Sequence, residues 1–520
     1  MIEQHSSLSE KFLKKGFWLY FFSFLIAPLG YIVKMLISND LSVGEMGILY
    51  GILSLVTLLS SYNDLGLAES LNYFLPKYIV EKDWNKFKTT IFYAFFAQFI
   101  SGIIIGIVLI IFSSSIATYF FHSVQAISIL KILSLFFFGF TFFHIMSVIY
   151  MATQNTKIQK LVEFIRMVFV VIFTFGFWFL DLGTLENYAW TWVIGVFIGT
   201  IFSFIHFYQK YYKPYLADAK IIYDKNMTKE LFKYAFMVLI ASNIGTVLSQ
   251  VDMLLISYLL GPIDAGYYTT YLSIINIPFM LIGPIIGFLF PVFSELNSLG
   301  EHDKIKVIKS IFYKYFAVMS VIISVFFFIF SSEIAYTLFG EKFRFSGEIL
   351  KYSCFFITFN FLFQIDFCIL AGIGKVKERA KILAVGLVFN VILNLILINL
   401  LGVVGSSLAV GLSWIPIFIM SEIKTKAFRT SFDFKFFIKN VLLSGILGFF
   451  IYEFLLKFFV NKGRLESFIL ILFIFIFYIM FIGLFNIKEI KRFIQEIKIN
   501  LKIKKPKTIE NETDNQTAII

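Results

Sequence analysis

Between residues 17 and 486 the chain is built from apolar runs of about membrane-crossing length, separated by short polar stretches. A hydrocarbon core of about 30 Å needs roughly 20 apolar residues per helical crossing. Runs of that length fall near 17–38, 45–63, 89–113, 126–150, 160–180 and 188–208. A second set follows near 231–259, 266–290, 311–331, 347–370, 380–400 and 403–422, and two more near 436–459 and 467–486. The pattern predicts an all-α integral membrane protein of about 14 transmembrane helices. A barrel would instead show short segments of alternating polarity. The first run is too long for a cleaved signal sequence, and no small-residue cleavage site follows it.

Composition strengthens that reading. Hydrophobic residues make up 59% of the chain and charged residues 15%, and the mean hydropathy is +0.85, far too apolar for a soluble domain. The basic residues are unevenly placed. With the amino terminus taken as cytoplasmic, the terminal segments and even-numbered loops hold 34 Lys and Arg, against four (Lys342, Arg344, Lys462, Arg464) on the opposite side. The positive-inside rule then predicts both termini in the cytoplasm. The net charge of +12 is accounted for by that topology and by attraction to anionic lipid, with no nucleic acid implied. Residues 486–505 read as a basic amphipathic helix on the inner leaflet, and residues 506–520 as a segment too polar to pack.

One stretch is said twice. "LISNDLSVGEMGILYGILSL" (Leu36–Leu55) and "LISYLLGPIDAGYYTTYLSI" (Leu255–Ile274) align without gaps at an offset of 219, matching at seven of twenty positions, Gly47/Gly266 and Ser54/Ser273 among them. Each copy joins an odd-numbered span to the next across a turn. Six spans separate them, an even number, so the halves share one orientation. A parallel repeat of this kind implies a pseudo-twofold axis along the membrane normal, with a cavity between the halves. The predicted organisation is a six-helix lobe over 1–210, a second over 211–430, an extra helix pair over 431–487 and a basic tail over 488–520.

Chemistry-bearing motifs are sparse. Cys354 and Cys368 lie in one span, about 21 Å apart along a helix, and cannot bond. The five His form no cluster, and neither metal-ligand spacing nor a Gly-rich phosphate loop is present. No catalytic residue is predicted, and a membrane glycan polymerase would be expected to carry a larger catalytic loop.

Three stretches carry a family likeness: "DLGLAESLNYFLPKY" (Asp64–Tyr78), "SQVDMLLISYLLGPIDAGYY" (Ser249–Tyr268) with "LFPVFSEL" (Leu289–Leu296), and "LAGIGKVKERAKILAVGLVFNVILNLILINLLGVVGSSLAV" (Leu370–Val410). In this order along fourteen spans the chain resembles polysaccharide flippases of the multidrug/oligosaccharidyl-lipid/polysaccharide exporter superfamily. The resemblance implies two six-helix lobes in a V, alternating access, and transfer of a polyprenyl-diphosphate-linked oligosaccharide from the cytoplasmic to the outer leaflet of a bacterial inner membrane. Membrane lipids and other polysaccharide-assembly proteins would be its partners. A multidrug/cation antiporter and a lipid-linked cell-wall precursor flippase share the fold and stay open as alternatives; a glycan polymerase ranks below both. The extra helix pair favours a lipid-linked substrate.

Charges inside spans are costly, about 2.5–3.5 kcal/mol on insertion scales, and mark functional candidates. Lys34 is expected either to snorkel or to hold a diphosphate as a point charge. Lys131 and Arg166 would extend the cationic surface, unless Arg166 instead pairs with Glu163, its expected (i, i+3) partner. Asp252 is expected to bind a coupling H⁺ or Na⁺, or else to partner Lys34, and Asp366 is a second ion-coupling candidate. Asn390 and Asn394 share one helical face, as interhelical glue or as sugar contacts. Pro278, Pro284 and Pro291 should bend the eighth span, and Pro28 with Gly30 the first. Glu453 and Lys457 should neutralise each other.

Overall fold

The computed structural model describes residues 8–429, 432–455 and 463–500. The first lobe contains α1 (Leu8–Asp40), α2 (Val43–Asn63), α3 (Leu67–Glu81), α4 (Trp84–Ile111), the single turn α5 (Ser113–Ser115), α6 (Ala126–Ala152), α7 (Thr156–Phe179) and α8 (Leu185–Phe207). The second contains α9 (Lys225–Leu259), α10 (Pro262–Ile275), α11 (Ile277–Ser298), α12 (His302–Phe339), α13 (Phe345–Ser353), α14 (Ile357–Gly372), α15 (Val376–Leu401) and α16 (Val403–Lys424). The pair α17 (Phe434–Leu455) and α18 (Arg464–Phe485) packs on α12, and α19 (Ile487–Asn500) follows. Among the described residues twelve helical segments are long and apolar enough to cross a membrane, α13–α14 forming one of them, and the bent α9 and α10–α11 bring the spans to fourteen.

The interruptions have local causes. The second span ends before Leu65 and Gly66, whose φ values of 54° and 72° are left-handed and cannot continue a helix. Gly66 also lies against the backbone of α9, where a Cβ would strike the Ala235 carbonyl. The stretch after it, predicted as a loop, is the helix α3, whose apolar face buries Leu67, Leu71, Phe74 and Leu75. The eighth span bends by 46° in the Pro-bearing stretch between Met280 and Ile282, as the proline spacing predicts.

The repeated stretch lies where the lobes meet. Ser42 caps α2 in a reciprocal box with Glu45, and Pro262 starts α10 after Gly261 at φ 93°. These two helix starts cross on the face opposite the basic loops, termed here the far face. A Cβ on Gly47 would overlap the Pro262 carbonyl, and a Cβ on Gly266 would overlap the carbonyl of Val43. Val43 and Pro262 are equivalent in the repeat, as are the glycines, so the pseudo-twofold axis runs between Gly47 and Gly266. Small residues let membrane helices approach this closely.

Further far-face contacts hold the lobes shut. Lys342, after α12, donates to the carbonyls of Asn39 at 3.2 Å and Leu41 at 2.5 Å. Arg464, at the start of α18, donates to the Asn39 side chain and to the carbonyl of Leu338 at 2.7 Å. Cations there also suit the carbonyl-rich end of α1. The extra helix pair is thereby tied to the first lobe.

Candidate functional site

Among the sequence candidates, Lys34 alone reaches across the lobe interface. Its Nζ donates to Ser273 Oγ on α10 at 2.8 Å and lies 4.8 Å from the centroid of the Tyr50 ring. One turn earlier on α1, Tyr31 donates to the Ser273 carbonyl at 2.8 Å. Lys34 is half-buried on this interface, and Asp252 is not its partner.

Arg166 lies deeper in the first lobe. Its guanidinium covers the Phe143 ring at 5.6 Å, and its Nε is buried with no hydrogen-bond partner. Glu163, its expected partner, is held instead by Lys160 at 2.7 Å, because the Arg166 backbone and Cβ pack against Gly195 and Gly199 of α8 and the guanidinium lies over Phe143. One to two turns from those glycines, Trp192 Nε1 is buried without a partner, and so is the hydroxyl of Tyr50, whose ring meets Trp192 edge-on at 6.5 Å. Lys34, Arg166 and Trp192 offer only hydrogen-bond donors, and Tyr50 adds a hydroxyl. That set suits an anion. In a chain with 20% aromatic residues, neither Tyr50 nor Trp192 stands out by sequence. Lys131 does not join them: it is exposed on α6 with no ion pair among the described residues.

In the second lobe, Asp252, Asn390 and Asn394 form one buried cluster, 6%, 1% and 0% exposed. Asn394 Nδ2 donates to Asp252 Oδ1 at 2.8 Å and to the Asn390 carbonyl at 3.0 Å, while Ser406 donates to Asn394 Oδ1 at 2.6 Å. The Tyr268 hydroxyl is buried with no partner. Side chains from α9, α15 and α16 thus gather around a single buried carboxylate, to which Asn394 presents an N–H while its own oxygen accepts from Ser406. No group of three or more His, Cys, Asp or Glu that could hold a metal ion occurs among the described residues.

Asp366 is already occupied. Lys309 lies 2.8 Å from its Oδ1 and 2.6 Å from Glu422 Oε1, with Lys309 and Asp366 fully buried. Tyr313, Ser421 and Thr425 complete its hydrogen bonds at 2.5, 2.8 and 2.9 Å. By its position, Lys309 reads from sequence as a loop cation; helix α12 carries it into the lobe. An acid that sequence reading did not single out, Asp64, sits at the end of the second span, taking a hydrogen bond from Gln98 at 2.9 Å with His144 at 3.7 Å. Lys457 lies outside the described residues, and so does the tail beyond residue 500.

Two parallel lobes of apolar helices, with bent spans in the second and polar groups reaching across the lobe interface, define a multi-pass membrane protein. The fold is similar to that of the lipid II flippase MurJ in an inward-closed conformation, at a TM-score of 0.69 and 17% identity over 91% of this chain and 98% of that one. It is also similar to an inward-facing multidrug resistance MATE family transporter of the MOP superfamily, at a TM-score of 0.63 and 14% identity over 77% and 95%. An uncharacterized membrane protein of Methanocaldococcus jannaschii is 25% identical over 508 residues, 95% of this chain and 98% of its own. The model of the polysaccharide biosynthesis protein family matches residues 12–297, and the chain belongs to that family. Its fold is the one those flippase and transporter structures share.

Proposed function

We propose that this chain moves a polyprenyl-diphosphate-linked oligosaccharide from the cytoplasmic to the outer leaflet of the cell membrane, for surface polysaccharide synthesis. The observation that carries the reading is the donor set of Lys34, Arg166, Trp192 and Tyr50 in the first lobe, several members of which lack a protein partner. A diphosphate supplies the acceptors these donors need, whereas a cationic drug would be repelled by Lys34 and Arg166. Alternating access would carry the headgroup through the lobe interface while the lipid tail stays in the bilayer. The basic face is cytoplasmic by the positive-inside rule. Asp252, with Asn390, Asn394 and Ser406, would bind the coupling H⁺ or Na⁺ and bias the second lobe between states. Asp366, neutralised by Lys309, serves the packing of its lobe.

The test is the leaflet distribution of polyprenyl-linked oligosaccharide in cells lacking this protein, with no redundant flippase, before and after complementation. Cytoplasmic accumulation relieved by wild type but not by Lys34→Ala supports the reading. Relief by Lys34→Ala as well leaves flipping intact and returns Lys34 to snorkelling. No accumulation at all overturns the lipid-linked substrate and favours drug or ion export. Asp252→Asn should abolish the dependence of transport on an imposed H⁺ or Na⁺ gradient.

A further inference from the structure

A cavity of about 330 Å³ opens in the second lobe at the junction of α10 and α11, walled by α14 and α16. It lies within the roughly 300–1,000 Å³ of a small-ligand pocket. Asn276 caps the end of α10, 14 residues after its start, and Trp414 lies 11 residues after the start of α16. At 1.5 Å per residue both lie near mid-membrane, where transporters of this general plan bind substrate. The lining holds no charged side chain. It offers three amides instead: Asn276, Asn360 and Gln364.

Those amides are not explained by packing. The Asn360 side-chain oxygen is buried without a hydrogen-bond partner, in a residue 9% exposed. An orphaned acceptor in a closed, apolar surround is unfavourable. Asn276 uses one N–H on the Leu272 carbonyl at 2.7 Å. Beside the amides, the Phe279 and Trp414 rings meet edge to face at 6.0 Å, making an aromatic corner. At Gly283 a Cβ would meet nothing within 4 Å, so this wall of the cavity is open.

A neutral pocket of amides and aromatic faces suits a ligand with hydroxyl or acetamido groups on its edges and a C–H face for a ring to cover. That is a pyranose. Its placement adds a second constraint. Ser273, which receives Lys34, precedes Asn276 by three residues, one helical turn. A diphosphate held at Lys34 would therefore leave its directly attached sugar beside the cavity.

We propose that this cavity is a carbohydrate subsite for the first sugar of the lipid-linked substrate, with Trp414 against its C–H face and Asn276, Asn360 and Gln364 bonding its polar edge. The proposal rests on the polyprenyl-diphosphate reading above, and divides the headgroup between lobes: charge to the first, sugar to the second.

The test uses the full chain in nanodiscs and two probes: a short polyprenyl diphosphate carrying one N-acetylglucosamine, and the same diphosphate without sugar. Wild type should bind the sugar-bearing lipid about tenfold more tightly or better. Asn360→Leu with Gln364→Leu, and separately Gly283→Leu to fill the open wall, should each remove roughly that tenfold advantage. Both should keep the affinity for the bare diphosphate within about twofold, which also reports that they fold. Lys34→Ala should weaken both probes. Variants that leave the sugar preference intact, or weaken both probes alike, overturn the subsite; so does a wild type that binds both probes equally, although flipping then stands. If wild type binds neither probe, the polyprenyl-diphosphate reading itself falls and the subsite falls with it.

Discussion

Gly47→Ala should open the far face. A Cβ at residue 47 overlaps the Pro262 carbonyl and comes 2.6 Å from the Gly266 nitrogen, where ordinary contact begins near 3.4 Å. Neither neighbour is a side chain that can rotate away, so relieving the Pro262 overlap requires α2 and α10 to part by roughly 1.5 Å in a tightly packed interface. Overpacking of this kind costs about 1–3 kcal/mol. The greater helix propensity of Ala acts on α2 in both the closed and the open state and cancels. The penalty belongs to the closed state alone and lowers its population relative to the open state by about 5- to 150-fold. The reporter is Ser257→Cys, 1% exposed beneath the joint, in a background without Cys354 and Cys368. Its labelling by a membrane-impermeant maleimide should accelerate by that factor. Gly266→Ala should act alike, because the contact is reciprocal, and the double variant should gain less than the two singles combined, since one separation makes room for both methyls. Unchanged labelling in a folded Gly47→Ala protein would refute the axial contact as the element that closes this face.

Three further outcomes follow from the same geometry. Lys309→Met strands the fully buried Asp366 carboxylate and should cost about 3–5 kcal/mol in a denaturant titration; Lys309→Met with Asp366→Asn should cost less than the sum of the singles, and simple additivity would show that the pair is not coupled. Lys342→Ala with Arg464→Ala removes the donors to the α1 end and should lengthen the distance between spin labels on α1 and α18, while leaving thermal stability within about 1 kcal/mol because these groups are partly exposed. Lys314 joins Asp433 at 3.1 Å to Glu489 of α19 at 2.8 Å, so Lys314→Ala should speed protease cleavage after residue 486; an unchanged rate would show that the contacts of Tyr315 and Phe312 with Glu489 and Phe493 suffice to dock α19.

How much of this was legible depends on the range of the interaction. Apolar runs are local and their length is set by the bilayer, so the fourteen spans could be counted from sequence. The Asn390 and Asn394 spacing showed one helical face, and that face does meet Asp252. Lys309 was illegible because its partners sit on α14 and α16, and no window along the chain contains them. Arg166 misled for the opposite reason. A neighbour at the right helical spacing was present, yet packing against Gly195 and Gly199 decided where the guanidinium went. The amides of the α10–α11 cavity are ordinary residues in sequence and become a group only when two spans bring them together.

The repeat survives at the joint for a geometric reason. On a pseudo-twofold axis equivalent residues meet each other, so Gly47 and Gly266 each supply the space the other needs, and a larger side chain at either one is felt by both lobes. Away from the axis each copy sees different neighbours and is free to diverge. The offset that pairs the glycines also sets Lys34 against Met253 and Val33 against Asp252: one lobe carries a cation where the other is apolar, and the other an acid where the first is apolar. If the lobes divide the work as proposed, substitutions along the axis should alter which states the transporter occupies, whereas those at Lys34 and Asp252 should alter what it carries and what drives it. A Gly47→Ala protein that lost ion dependence without any change in far-face opening would break that division.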